Sequence, residues 1–417
     1  MSAEIAARLA KIAREDGAIG AFWALDPKAA AITPPAGPLS GVALGVKDNL
    51  DVAGLPTTAG IAAFRGRIAT ADAPAVAGLR RAGAVILGKL AMHEGALGAT
   101  TDTPGFGRCM NPLREGYTPG GSSGGSGAAV AAGFVTLAIG TDTMGSVRIP
   151  AAYCGVVGLK PTAGLVSRHG VVPLSPSLDH VGMLAATPRL VALGLEAMVG
   201  EDPADPMSRP TPPGWHAVPR AMPNMGKLRL GLPRPVLDAP MEPAIRSAWD
   251  EAIAVAGGMG VEVVELDLAG WNPGAARRAG LLLIEAEAAA LHADLIENVD
   301  AASPGFRAAL AYGRDAGTTR LIRAMYRLSE VRAAMLRAVD ACDALLLPTA
   351  PQRAFAHGTP APADQADFCA PANIAGLPAI AFPWPAADGG LPCSMQLIGR
   401  PHEEARLVAL AEAFNAR

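Results

Sequence analysis

The sequence predicts an α/β fold, a mixed central β-sheet flanked by helices, and three observations predict it. Apolar runs of strand length, VALGVK at 42–47 and AVIL at 84–87, bracket the helix-period segment ADAPAVAGLRRAG at 71–83, and strand, helix and strand in that order imply parallel pairing. A second helix-to-strand unit, AAVAAGFVTLAIG at 128–140, follows a glycine-rich loop. Towards the C-terminus the apolar strands ALLLP (344–348) and AIAFP (379–383) lead to QLIG (396–399) and a last helix at 402–415.

Taken in order, residues 1–35 read as a surface helix followed by the Pro-rich connector ITPPAGP. The strand at 42–47 ends at the polar turn Asp48-Asn49. Asp72 stands where an N-cap belongs, with Pro74 in the first helical turn. The loop TPGGSSGGSG (118–127) is too rich in glycine to be there for packing. Residues 200–226, dense in Pro and Met, read as a surface linker. Beyond them come the strand LRLG (228–231), an amphipathic helix around 243–256, the alternating strand VEVVELDL (261–268) and Ala-rich helices from about 274 to 340. The expected organisation is one domain over 1–417: an N-terminal helix within 1–35, a core over 40–190, the linker at 200–226, a helical insertion at about 270–340, and core strands with a helix at 344–417.

Composition narrows the function. Apolar residues make up 50% and charged residues 18% of 417, which places the chain among globular proteins able to bury a large core. A net charge of −3, without a run of five like charges, offers no electrostatic footprint for nucleic acid, so no nucleic-acid partner is expected. The N-terminus MSAEIAARLAKIARED lacks the apolar core of a signal peptide, and no apolar stretch reaches the roughly 18 residues of a membrane span; a cytoplasmic protein without a membrane partner is expected. Cys109, Cys154, Cys342, Cys369 and Cys393 are odd in number and scattered, without a C-x-x-C pair, and seven His show no paired spacing. Reduced thiols, no metal site and no cofactor follow as expectations.

Two motif matches fail on context. GAVILGKL (83–90) fits a phosphate-loop pattern, but Leu90 stands where Ser or Thr should hold a metal, and AVIL is a strand. Ser122 sits in G-x-S-x-G, but a turn rather than a strand precedes it, so it is no nucleophile elbow. The informative stretch is GGSSGGSGAAVAAGFVTLAIGTDTMGSVRIP (120–150), in which two serine-bearing, glycine-rich turns bracket one apolar helix-strand unit. That arrangement can bring Ser122 and Ser146 together, and glycines let backbone N–H groups converge on an anion. One such turn alone would be a solvated loop.

This stretch resembles the amidase signature, and the likeness extends to GVALGVKDNLDVAGLPTTAG (41–60), NPLREGYTPGGSSGGSG (111–127), CGVVGLKPTAGLVSRHGVVPLSPSLDHVG (154–182) and GLPAIAFPW…LPCSMQLIG (376–399). It covers about 40 to 400 and is weakest between roughly 190 and 340. The resemblance implies the amidase signature fold and a Ser–cis-Ser–Lys triad of Ser146, Ser122 and Lys47, with a cis peptide at Gly121–Ser122. By itself Lys47 would pass for a solvated surface lysine. A serine needs an adjacent base, however, and with no His available a lysine desolvated enough to be neutral can serve. The resemblance further implies oxyanion donors on the backbone of Thr143, Met144, Gly145 and Ser146, a bracing ion pair between Asp142 and Arg148, and a supporting role for Ser123. A direct substrate contact by Arg148 is the sharper alternative. Met144 departs from most relatives, which carry glycine there; it either shapes the substrate pocket or is a packing variation, and its φ should be negative. Met92, His93, Gly121 and Met144 are candidate substrate contacts, although a structural polar role for His93 and Glu94 is the plainer reading.

The expected function is therefore hydrolysis of a small-molecule amide C–N bond through an acyl-enzyme, releasing ammonia or an amine. The partners expected are the amide itself and, from the family, a homodimer. The alternative is a component of a tRNA-dependent amidotransferase, like the A-type subunit of such an enzyme. The chain is shorter than those subunits usually are and has no tRNA-binding surface of its own, although a partner could supply one.

Overall fold

The computed structural model describes residues 3–416. Eleven strands form one sheet: β1 (Phe22–Leu25), β2 (Ala43–Lys47), β3 (Val85–Leu90), β4 (Leu137–Asp142), β5 (Val157–Lys160), β6 (His180–Ala185), β7 (Arg229–Pro233), β8 (Glu262–Leu266), β9 (Ala344–Pro348), β10 (Ala379–Trp384) and β11 (Cys393–Ile398). Their spatial order is β1-β3-β2-β4-β6-β5-β10-β11-β9-β7-β8. Parallel pairing of β3, β2 and β4 at one end, and of β9, β7 and β8 at the other, flanks an antiparallel middle. The mixed sheet is the fold class the sequence predicts.

The helices are α1 (Ala3–Ile19), α2 (Pro74–Arg81), α3 (Gly124–Ala131), α4 (Arg148–Cys154), α5 (Pro188–Met198), α6 (Pro243–Gly258), α7 (Pro273–Leu291), α8 (Pro304–Arg314), α9 (Thr318–Asp340), α10 (Ala370–Ala375) and α11 (Glu404–Asn415). Along β2 the side chains alternate: Leu44 and Val46 join a core cluster with α2, α5 and α11, whereas Ala43 joins one with α1, α3 and α4. Both faces of the sheet are covered, which is why its parallel strands read as continuous apolar runs.

Local differences have physical reasons. Within the segment read as helix and connector, α1 stops at Ile19 and FWAL forms the edge strand β1, held antiparallel on β3. Asp72 does not cap α2. Ala73 occupies the N-cap, while the Asp72 carboxylate accepts from Arg80 and from the Ala53 N–H. GAVILGKL is strand β3, and its Lys89 is buried in an ion pair with Asp48, 3.1 Å away.

The topology positions the site. β2 and β4 are parallel neighbours, so their C-terminal ends, Lys47 and Asp142, emerge side by side. α3 begins two residues after Ser122 and packs on β2 and β4; α4 begins two residues after Ser146. The two serine-bearing turns therefore meet above the same pair of strand ends.

Candidate active site

Lys47 is fully buried. Its Nζ lies 2.8 Å from Ser122 Oγ, 2.7 Å from Thr141 Oγ1 and 3.4 Å from the Thr141 carbonyl. Burial pulls the ammonium pKa down to about 7, against the carboxylates of Asp179 and Asp142, which favour the charged form. The Gly121–Ser122 peptide bond is cis. Ser123 ties the two turns together: its N–H donates to the Ser146 carbonyl at 3.2 Å, and its hydroxyl donates to the Thr141 carbonyl at 3.1 Å.

Beneath Ser146 lies a buried polar cluster. Arg148 Nε and Nη2 donate to the two carboxylate oxygens of Asp142 at 3.0 and 3.1 Å, and the guanidinium also reaches the Cys369 carbonyl, Gln396 and Asn373. Burial raises the Asp142 carboxyl, but Arg148 outweighs it and holds the group well below the usual range. With every contact of Arg148 taken by protein, the bracing arrangement accounts for it and a direct substrate contact does not. Thr143 Oγ1 donates to Asp179 at 2.6 Å, and Asp179 also accepts from the N–H groups of Leu174 and Ser175.

The backbone of the Ser146 turn is less open than expected. Asp142 Oδ1 accepts the Gly145 N–H at 2.7 Å, which takes Gly145 out of the expected set of four oxyanion donors. Gly145 serves conformation instead: its φ is +127°, and a Cβ there would stand 2.7 Å from the Cβ of Cys369. Met144 is not among the non-glycine residues of positive φ, in line with the expectation for its backbone.

Ser146 opens on a cavity of about 280 Å³ whose wall includes Gly121, Met144, Ile149, Leu281 and Ile284, with Arg277 at a polar end. Arg277 Nε is 2.5 Å from Asp367 Oδ1, and both side chains are largely buried. Gly121 and Met144 thus lie where substrate contacts were expected. Met92 and His93 do not, and both expectations are corrected. Met92 is buried in the main core. His93 lines a neighbouring cavity, accepts the Thr101 N–H at Nδ1 (3.2 Å) and donates its backbone N–H to the Ser122 carbonyl at 3.1 Å. Burial keeps its imidazole neutral, with a pKa of about 4. Glu94 accepts from the backbone and hydroxyl of Ser303, again a structural role.

Sequence reasoning missed Thr141, Asp179, Asn373 and Gln396 as parts of the cluster, and Arg277 as the cation on the cavity wall. Thr141 stood in plain view two residues before Thr143. Arg277 had as its only signal its place in a cationic pair, Arg277-Arg278, in the first turns of an Ala-rich helix.

A mixed sheet carrying a buried, hydrogen-bonded lysine beside two serine-bearing turns defines an amidase-type hydrolase acting on carbon–nitrogen bonds. The family model described as amidase matches residues 16–408, and the chain belongs to the amidase signature family. It is 36% identical over 453 aligned positions to the A-type subunit of the glutamyl-tRNA(Gln) amidotransferase of Symbiobacterium thermophilum, covering 97% of this chain and 91% of that protein. The crystal structure of the corresponding glutamyl-tRNA(Gln) amidotransferase subunit from Thermotoga maritima superposes with a TM-score of 0.87 at 29% identity, over 98% of this chain and 90% of that one. A structure from a vestigial protein complex bearing on the origins of an s-triazine catabolic enzyme superposes with a TM-score of 0.91 at 33% identity, over 100% and 95%.

These relatives correct the expected partners. Proteins this similar along nearly the whole chain are, by name, subunits of glutamyl-tRNA(Gln) amidotransferase, so a partner set of a small amide and a second copy, with nucleic acid excluded, does not stand. Net charge failed as a guide because it describes one chain, whereas one subunit need not carry the nucleic-acid surface of its assembly. Among the described residues, no helix is long and apolar enough to cross a membrane.

Proposed function

We propose that this chain is the amide-cleaving component of an amidotransferase of the glutamyl-tRNA(Gln) type, with Ser146 as nucleophile, Ser122 as proton relay and Lys47 as base. The observation that carries the chemistry is the 2.8 Å contact between the buried Lys47 Nζ and Ser122 Oγ. A lysine with a pKa near 7 holds a substantial neutral fraction at neutral pH and can take a proton through Ser122 from Ser146. Ser146 Oγ then attacks the amide carbonyl, and backbone N–H groups of the Thr143, Met144 and Ser146 turn face the developing oxyanion. As the C–N bond breaks, Lys47 returns its proton through Ser122 to the leaving nitrogen. Ammonia departs, and water hydrolyses the ester on Ser146.

The likeness to amidotransferase subunits over 97% of the chain supports transfer of that ammonia to a partner. The cavity is consistent with a nitrogen donor bearing a carboxylate, to which the Arg277 guanidinium on its wall is complementary.

Complementation tests the reading. The remaining subunits of the Symbiobacterium thermophilum amidotransferase are mixed with this chain, glutamyl-tRNA(Gln), an amino-acid amide as nitrogen donor and ATP to activate the glutamyl carboxylate, and amidated tRNA is measured. Formation of product that requires this chain, and is lost in Ser146→Ala, is the expected result. Brisk ammonia release by the chain alone, with no amidation in the mixture, would overturn the transfer reading.

A further inference from the structure

Two segments beside the Ser146 cavity depend on each other. One is the turn carrying Met144; the other is α7, which passes it at Gly280. Gly280 is buried, and a Cβ placed on it would stand 2.6 Å from Met144 Sδ and 3.7 Å from Met144 Cε, with no other atom of a neighbouring segment within 4 Å. The thioether therefore occupies the space that a side chain at 280 would need. Leu281 and Ile284, on the same helix, line the cavity beside Met144, together with Ile149.

We infer that Met144 and Gly280 form a coupled, specificity-determining pair that sets the depth of the acyl pocket and restricts it to short acyl groups. The inference rests on Ser146 being the nucleophile of the proposed function. Met144 is unbranched and flexible, so it can fill the gap beside Gly280 without strain. Any side chain added at 280 drives the thioether off the helix, and the open side is the cavity. Removal of the Met144 side chain instead extends the cavity along α7. Because the wall is aliphatic, discrimination by it is steric, and one or two carbon atoms decide the outcome.

Sulfonyl fluorides of two sizes read this geometry directly. Ser146 Oγ attacks sulfur, the S–F bond breaks, fluoride leaves, and the serine proton passes through Ser122 to Lys47; intact mass and peptide mapping report the label. Wild type should react faster with methanesulfonyl fluoride than with phenylmethanesulfonyl fluoride. Met144→Gly should raise the rate of the larger reagent roughly tenfold or more while changing the smaller one far less. Gly280→Ala should slow the larger reagent, and the double variant Met144→Gly/Gly280→Ala should regain most of the rate of Met144→Gly. Thermal denaturation checks each fold, and Met144→Ala serves if the glycine variant does not fold. Size selectivity unchanged by Met144 substitution, or additive effects in the double variant, would overturn the inference alone. Absence of label on Ser146 with either reagent would overturn the nucleophile assignment and this inference with it.

Discussion

Thr141 Oγ1 accepts an N–H from Lys47 at 2.7 Å and a second from Asn49 Nδ2 at 3.1 Å. Both lone pairs of the threonine oxygen are thereby used. A neutral lysine has two N–H bonds and one lone pair, and committing the N–H bonds to Thr141 Oγ1 and to the Thr141 carbonyl turns the lone pair towards Ser122. Thr141 thus positions the base rather than touching substrate. Thr141→Val should lower kcat for amide cleavage roughly tenfold, about the worth of one orienting hydrogen bond, and leave KM unchanged. Thr141→Ser keeps the oxygen and should retain most of the activity. Steady-state ammonia release for both variants checks the pair.

The base itself predicts a pH profile. In the proposed mechanism Lys47 works when neutral, and burial has brought its pKa to about 7. The rate should therefore be low in mild acid, rise through neutrality and level off on the alkaline side, with kcat/KM following one ionisation. Stopped assays across this range, on an amide whose chemistry is rate-limiting, measure it. A rate independent of pH through neutrality would remove Lys47 from the base role.

How much of this was legible can be judged from individual residues. Ser122 and Ser146 stood out as local patterns, serines in glycine-rich turns, but Lys47 could be named only through the resemblance of its segment to the amidase signature, since by itself it would pass for a surface lysine. Asn373 and Gln396 reach Arg148 from 225 and 248 residues away. No spacing rule finds such contacts, because they exist only once β10, β11 and α10 have packed. The Gly145 N–H was misjudged for a different reason. A turn rich in backbone donors looks open in sequence, and only the Asp142 carboxylate beneath it shows which donor is taken. Met92 and His93 belong to a segment that does border the cleft, but its 96–99 part does the lining. The pocket wall on α7 falls where the likeness to relatives was weakest, so the residues that choose a substrate were the least readable.

A third buried lysine, beside Lys47 and Lys89, gives a stability prediction. Lys160 is fully buried with a pKa lowered to about 7, chiefly by burial and then by Arg148, while Asp142 and Glu404 oppose the shift. In the unfolded chain it stays protonated up to its ordinary value near 10.5. Between these values the unfolded state binds more protons than the folded one, so stability rises with pH, by up to about 1.4 kcal/mol per pH unit for such a group. Above roughly pH 8.5 unfolded cysteines begin to ionise and oppose the trend, since the buried thiols are held protonated. Denaturant unfolding between neutrality and that limit should show Lys160→Met flattening the rise seen in wild type. An unaltered slope would mean that Lys160 stays charged in the folded state.

The charged end of the cavity makes the sharpest claim about substrate. Arg277 is the cation lining the cavity around Ser146, and it is paired with Asp367. Burial raises the Asp367 carboxyl while Arg277 lowers it, so removing the guanidinium leaves a carboxyl that protonates instead of remaining as a bare buried charge. Arg277→Met should therefore fold, and it offers a carboxylate-bearing amide no countercharge. For amino-acid amides with a free carboxylate, the loss should amount to about 1.5–3 kcal/mol, the range for a charge-assisted hydrogen bond, or 10- to 100-fold in kcat/KM. It should fall mainly on KM, because the contact is made before the chemistry and is remote from the breaking bond. Otherwise identical amides lacking the carboxylate should be cleaved equally well by wild type and variant. Equal losses for both substrates would show that Arg277 only supports the wall, and no loss for either would show that the substrate does not reach that end of the cavity.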